Sequence, residues 1–292
     1  MKILVTGCNG QVGHSLVKNL KPRHGHDISL FAFDREQLDI TSEPDVMSQV
    51  KKIKPDFIIN AAAYTAVDQA ETDIDSSYAI NRDGPLYLAR AAEAVNAMLL
   101  HISTDYVFAG DKSEPYIESD MPSPKSVYGQ SKLAGEEAVT NNCTNYVILR
   151  TSWVFGEHSN NFVKTMMRLG RERSELSIIG DQIGGPTYAG DIAKALITII
   201  ERFENPSQSG IYHFAGEPHV SWYQFTRVIF ETAEYHRKLP IPPVVNEITT
   251  EQYPLPASRP SNSRLDCSKL NKEFGIQACD WKLALNNIIV YI

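Results

Sequence analysis

Lys2-Ile3-Leu4-Val5-Thr6-Gly7-Cys8-Asn9-Gly10-Gln11-Val12-Gly13 decides the architecture of this chain. Its first five residues predict a short strand. Glycines spaced G-x-x-G-x-x-G follow at once, and Gly10 to Leu20 carries the apolar spacing of a helix. Glycine meets three needs at such a place: a sharp turn, close approach of the backbone to a ligand, and tight packing of helix on strand. The free N–H groups that open the helix attract a diphosphate. A glycine triplet alone also suits an ordinary turn; its place between first strand and first helix makes a dinucleotide site the stronger reading.

The same rhythm continues outward. Ile28 to Phe33 reads as a second strand ending at Asp34, Asp45 to Ile53 as a helix, and Phe57 to Asn60 as a third strand. A long Ala-rich helix is expected over Ala79 to Ala97, a fourth strand over Met98 to Ser103, a helix over Tyr128 to Val139 and a fifth strand over Tyr146 to Arg150. Strands alternating with helices predict an α/β fold, a Rossmann-type doubly wound parallel sheet. After Trp153 the rhythm changes. Helices are expected over Asn161 to Arg173, Asp191 to Phe203 and Ser221 to Tyr235, the last with Ser221 as N-cap, and strands over Leu176 to Ile179 and Ile211 to Phe214. Proline-rich stretches over 239–243 and 254–260 read as loops. The second carries Arg259 and fits either a flap over a substrate or a plain surface crossing. The expected domains are a dinucleotide-binding domain over 1–155, completed by about 189–216, and a smaller, discontinuous substrate domain from 156–188 and 217–292.

Composition narrows the function. The 292 residues hold 28 Lys and Arg against 35 Asp and Glu, a net charge of −7, which disfavours nucleic-acid binding. Mean hydropathy is −0.26, and no apolar run approaches the roughly 18 residues of a membrane span. A strand at the very start leaves no room for a secretory segment, so a cytoplasmic protein is expected. Cys8, Cys143, Cys267 and Cys279 form no C-x-x-C pair and read as reduced, buried thiols. His24 and His26 fall in a polar loop without zinc spacing, and no metal is expected.

Cofactor-binding candidates follow from position. Gly7, Gly10, Gln11, Val12 and Gly13 are expected at the phosphates. Asp34 stands where an acid would bind ribose hydroxyls, and Arg35 can fork a 2′-phosphate. Asp34 alone points to NAD; Arg35 tilts the reading to NADPH and leaves NADH open. Asp39 and Ile40 are placed to flank the adenine, and Ala62, Ala63, Tyr64 and Thr65 to pass beneath the cofactor. Tyr128 and Lys132 share a helical face as Y-x-x-x-K, so a lysine ammonium could lower the phenol below its usual value of about 10 and make it a better acid. With 13 tyrosines, about one such spacing arises by chance. Thr104, at the end of the fourth strand, supplies the missing context: its hydroxyl can meet a substrate carbonyl or the phenol.

These residues resemble the extended short-chain dehydrogenase/reductase family. Further motifs join them: Ser103-Thr104-Asp105-Tyr106-Val107-Phe108, Arg150-Thr151-Ser152-Trp153, and Arg259-Pro260 with Asn262-Ser263-Arg264. The likeness runs collinearly through the chain and is closer to the family's nucleotide-sugar reductases. It implies that NAD(P)H gives hydride to C4 of a dTDP-6-deoxy-4-keto-L-hexose and that Tyr128 gives the proton to O4. Lys132 would tune Tyr128 and bind the nicotinamide ribose, and Thr104 would polarise the carbonyl. Asp105 and Trp153 would contact the sugar, and Arg259 the diphosphate of the dTDP-sugar. Some members bridge a dimer through magnesium held by carboxylates where this chain has Ser15 and Gly190, which disfavours Mg2+ and that dimer and leaves a homodimer of another kind open. Two other readings compete: a 4-epimerase that recycles a tightly held NAD, and an NADP-binding regulatory subunit. The complete set of Thr104, Tyr128 and Lys132 favours a reductase.

Overall fold

The structure, a computed structural model, describes residues 1–21 and 28–291; His24 and His26 lie outside the described residues. The N-terminal half alternates β1 (Lys2–Thr6), α1 (Gln11–Leu20), β2 (Ser29–Phe33), α2 (Glu43–Ile53) and β3 (Phe57–Asn60). Short helices α3 (Val67–Ala70) and α4 (Ile74–Tyr78) lead through a π-turn (Ala79–Asp83) into α5 (Gly84–Val95). Then come β4 (Met98–Thr104), α6 (Val127–Asn142) and β5 (Tyr146–Thr151). Further on lie β6 (Val154–Phe155), α7 (Phe162–Glu172), β7 (Glu175–Ile179), β8 (Ile183–Gly184), β9 (Thr187–Tyr188), α8 (Ala189–Arg202) and β10 (Gly210–His213).

Among the described residues, six strands form one parallel sheet in the order β10-β5-β4-β3-β1-β2. Period-two alternation sends side chains to both faces. Ile3, Val5, Ile59, Leu100 and Leu149 pack under α1 and α8, whereas Leu4, Ile58, Leu99 and Ile148 pack under α2, α5 and α6. Burial on both faces is why these strands are nearly continuous in apolar residues. The order reverses at β1, whose neighbours are β2 and β3, so the carboxyl ends of β1, β3 and β4 open onto the crevice where such sheets take ligands.

The long Ala-rich helix differs from its expected bounds. It begins at Ile74, widens into the π-turn, and stops at Asn96 in the left-handed region (φ 55°). Pro85 has no N–H to return to the carbonyl of Asn81, and the wider turn accommodates that loss. Cys143, Cys267 and Cys279 are buried, but Cys8 is only partly so, because it lies in the glycine turn rather than under a helix.

In the C-terminal part, α9 (Trp222–Tyr235) starts at a capping box: Gln224 N–H donates to Ser221 Oγ (3.1 Å), and Ser221 N–H to Gln224 Oε1 (2.9 Å). Short strands, of which β7 and two later ones pack against α9, form small separate sheets here. In chain order the later strands are β11 (Gly216–Glu217), β12 (Val220–Ser221), β13 (Val244–Ile248), β14 (Asn262–Ser263) and β15 (Cys279–Asp280). β13 runs parallel to β7, and β8 lies between β12 and β14. No helix among the described residues is long and apolar enough to cross a membrane.

Candidate active site

The glycine turn is held by close approach. Gly7 lies at φ +66°, and a Cβ there would come within 2.6 Å of the Ala62 nitrogen. A Cβ on Gly13 would come within 2.0 Å of the Gly7 carbonyl oxygen. Gly10 caps α1 with no side chain, so the helix N-terminus is left open to a cavity of about 500 Å³. Asp34, Arg35, Asp39 and Ile40 form one wall, and Ala62, Ala63, Tyr64 and Thr65 the other. The Asp34 carboxylate accepts from Asn9 (3.1 Å) and from the N–H groups of Glu36 (3.1 Å) and Gln37 (3.0 Å). Arg35 is exposed beside it. Asp39 accepts from the N–H (2.9 Å) and hydroxyl (2.8 Å) of Thr41, which hold its carboxyl below the usual range. An uncapped helix start, a wall of alanines and a guanidinium at the second strand's end fit a dinucleotide with a 2′-phosphate.

A second cavity, of about 450 Å³, shares Gly10, Ala61, Ala62, Ala63 and Thr65 with the first and continues the groove past Gln11, Val12 and Trp153. Thr104, Asp105, Tyr128 and Lys132 line it together, all buried. The helix that carries Tyr128 and Lys132 starts at Ser126, whose hydroxyl accepts from the Gly129 N–H (3.1 Å). Thr104 hydrogen-bonds the Tyr128 phenol, donates to Asp105 Oδ1 (3.1 Å) and accepts from the Tyr106 N–H (3.2 Å). Asp105 Oδ2 is buried with no partner among the described residues. Burial pushes Asp105 up to about 6, against the hydroxyls of Ser263 and Thr104.

The phenol departs from expectation. Burial pushes Tyr128 up to about 12, with the Asp105 charge adding to it and the Thr104 bond opposing it. Burial, not Lys132, sets the direction here, and the lysine amine donates to the Ile102 carbonyl (2.7 Å). Burial pulls Lys132 down to about 8, and Glu136 one turn away opposes that pull.

Toward the C-terminal part, Trp153 takes a positive φ of 48° and stacks on Trp222 with ring centroids 3.5 Å apart. Trp222 and Arg259 line a third cavity, of about 800 Å³, against α7 and β7. Arg259 is paired with Asp68 (2.7 Å), which ties the second proline-rich loop to the start of α3. The structure brings Thr104, Asp105, Tyr128, Lys132 and Trp153, all named from the sequence, to one cavity, and puts Arg259 on another. Sequence reasoning missed residues that brace them. Asn81, from the π-turn, accepts from the Tyr64 N–H (2.9 Å) and donates to Ser131 Oγ (3.0 Å), between Tyr128 and Lys132. Asn161 donates to Gln11 Oε1 (3.2 Å). Glu136 is held by Arg150 (2.6 and 2.9 Å) and Ser103 (2.5 Å), all buried. Its place four residues after Lys132 was the one available signal.

The positions implied for magnesium do not fit it. Ser15 donates to the Gln11 carbonyl (3.0 Å), and Gly190 offers no ligand. Neighbouring Asp191 is paired with Lys194 (2.9 Å). Among the described residues no group of three metal-ligating side chains converges.

Comparison with known proteins adds to this geometry. The model of the family described as RmlD substrate binding domain matches residues 1–291. The dTDP-4-dehydrorhamnose reductase of Aggregatibacter actinomycetemcomitans is 50% identical over 292 residues, 99% of each chain. Two solved structures are similar throughout. The dTDP-4-dehydrorhamnose reductase from Clostridium acetobutylicum has a TM-score of 0.91 at 40% identity, covering 99% of this chain and 98% of that one. The enzyme of the same name from Bacillus anthracis, in complex with NADP, has a TM-score of 0.90 at 38% identity, covering 100% and 99%.

Proposed function

The chain belongs to the RmlD substrate binding domain family, and on that premise we propose that it is an NAD(P)H-dependent oxidoreductase reducing the C4 keto group of dTDP-4-dehydro-β-L-rhamnose to dTDP-L-rhamnose. The observation that carries this is the buried cluster of Thr104, Tyr128 and Lys132 in the groove that continues the dinucleotide cradle. The NADP complex of a relative supports the cofactor. Gly7, Gly10, Gln11, Val12 and Gly13 would hold its diphosphate. Arg35 would meet a 2′-phosphate, and its charge would have to outweigh that of neighbouring Asp34 on the same wall. When bound, NADPH supplies a hydride to the carbonyl carbon.

The chain's own residues do the rest. Tyr128, neutral at physiological pH, donates its hydroxyl proton to O4. The Thr104 hydroxyl aligns the phenol and the carbonyl oxygen. The Lys132 ammonium, on the same helical face, returns a proton to the phenolate left behind. Asp105 Oδ2, buried and unpartnered, accepts from a sugar hydroxyl. Trp153 offers its indole to the apolar face of the ring. Arg259, at the third cavity, meets the diphosphate of the sugar nucleotide. Residues 1–155 with about 189–216 thus serve the cofactor, and 156–188 with 217–292 the sugar nucleotide.

The test is nicotinamide oxidation with the 4-keto sugar nucleotide generated in place, wild type beside Tyr128→Phe. A loss of about 10²- to 10⁴-fold in kcat with NADPH binding intact is expected for a missing general acid. Wild type that binds NADPH and oxidises none of it would sink the reductase and favour a regulatory binding subunit.

A further inference from the structure

Behind the catalytic pair runs a buried chain of polar groups that the reaction as described does not use. Thr6, Asn60, His101 and Lys132 are each no more than 2% exposed. Thr6 Oγ1 donates to Asn60 Oδ1 (2.7 Å), and so does the backbone N–H of Ala62 (3.1 Å). A backbone N–H is only ever a donor, so the Asn60 atom facing Ala62 must be the oxygen. The amide nitrogen therefore faces His101 Nδ1, 3.1 Å away. That nitrogen can only donate, so Nδ1 must accept and the imidazole proton resides on Nε2. The Nε2–H then points at Lys132 Nζ, 3.5 Å away.

We infer that His101 is a positioning residue for the proposed reduction: a tautomer locked by Thr6, Ala62 and Asn60 aims an N–H at Lys132 and sets how readily that amine holds its proton. The inference rests on the reading of Lys132 as the partner of Tyr128. An N–H dipole facing an ammonium disfavours it; facing a neutral amine, it forms a hydrogen bond. His101 cannot relieve the contact by charging, because a second ring proton would meet the Asn60 amide and because burial and the Lys132 charge hold its pKa well below normal. Other groups act on the same amine. Glu136 and Tyr128 lie on its own helix, the Ile102 carbonyl on β4 accepts from it (2.7 Å), Asp105 after β4 lines the same cavity, Arg150 on β5 is turned to Glu136, and the loop after β3 brings the uncharged Ala61, Ala62, Ala63 and Thr65. Burial pulls Lys132 down and Glu136 pulls it up, and the His101 N–H, 3.5 Å away, adds on this proposal to the downward pull.

Ring ¹⁵N NMR of wild type tests the lock without any substitution. His101 is expected as the Nε2–H tautomer from pH 5 to 9 (ordinary working limits about the imidazole value), and an Nδ1–H tautomer overturns the inference. Two variants test the consequence, read by ¹³C NMR of the methylene beside the Lys132 amine, assigned by its absence in Lys132→Arg. His101→Asn keeps an acceptor for Asn60 but cannot reach Lys132. Its Lys132 midpoint should rise by about 0.5–1 pH unit, the worth of one hydrogen bond, and the basic limb of kcat/KM should move with it. His101→Gln restores a donor near Nε2 and should return the midpoint to within a few tenths (a small fraction of one hydrogen bond) of wild type. A folded His101→Asn with an unmoved midpoint, or equal shifts in both variants, refutes the role. A shifted midpoint in a chain that oxidises no NADPH supports the lock while refuting the reductase reading.

Discussion

Replacing Glu136 by Gln joins stability to catalysis in one measurement. The carboxylate receives both Arg150 Nε (2.9 Å) and Nη2 (2.6 Å), and both side chains are 2% exposed. Arg150 Nη1 has no partner among the described residues, so no spare acceptor stands ready for the stranded charge. At about 4 Å between charge centres and an effective dielectric of about 20, the attraction is roughly 4 kcal/mol. Stranding one buried ion costs about 3–5 kcal/mol in measured cases. Domains of 150–250 residues lose roughly 2–4 °C of Tm per kcal/mol, so a fall of about 6–20 °C is expected in a calorimetric scan. Glu136→Leu with Arg150→Met should recover most of it, because a packed apolar pair has no ion to strand. The same carboxylate raises Lys132, so Glu136→Gln should also lower the pH at which that amine loses its proton and pull the basic limb of kcat/KM down with it. A Tm within about 2 °C of wild type, under roughly 1 kcal/mol, would refute the argument. So would a basic limb that rises.

Three further outcomes follow from other parts of the site. Asp105 is raised by burial to about 6, so its ionised form is a burden that grows as pH rises from about 4 to 6 and is complete above that. At 1.36 kcal/mol per unit the burden is roughly 3 kcal/mol; Asp105→Asn should raise Tm at pH 7.5, leave it unchanged near pH 3.5, and lower kcat (pH values chosen on either side of the usual range of about 4). Gly10→Ala brings a Cβ only 3.3 Å from the Gly7 oxygen, so the chain should fold with a small loss of Tm while the methyl obstructs the diphosphate and raises the Kd for NADPH; unchanged binding by calorimetry would contradict the assigned phosphate site. Arg35→Ala should weaken NADPH by about 10- to 100-fold, the worth of a charge-assisted contact of roughly 1.5–3 kcal/mol, and spare NADH; equal losses for both cofactors would refute the 2′-phosphate contact.

How much of this was legible in the sequence depends on the range of the interaction. The continuous apolar strands, the glycine turn and the cap at Ser221 are local, and each is written within a few residues. The set of Thr104, Tyr128 and Lys132 was legible too, because parallel strands deliver their carboxyl ends to one edge. The π-turn was not, since the Ala-rich pattern is compatible with an unbroken helix and only the missing N–H of Pro85 disturbs it. Asn81 bridges Tyr64 to Ser131, the latter 50 positions away, and leaves no local pattern.

The raised phenol shows why spacing alone misjudges electrostatics. Four residues on a helix bring Lys132 to the face of Tyr128, and from that the lysine should acidify the phenol. The direction is set instead by burial, with Asp105 adding to it. Ile102 takes one of the amine's hydrogen bonds, and His101, fixed from behind by Asn60, meets the amine with another donor. Burial brings Lys132 down to about 8 against the pull of Glu136 and pushes Tyr128 up to about 12, a gap in which the lysine is the stronger acid of the two. A phenolate formed at Tyr128 would therefore draw a proton from its neighbour rather than persist. Restoring the phenol after each turnover then depends on the protonation of Lys132, and control of that protonation passes to His101 and Glu136, neither of which reaches the sugar.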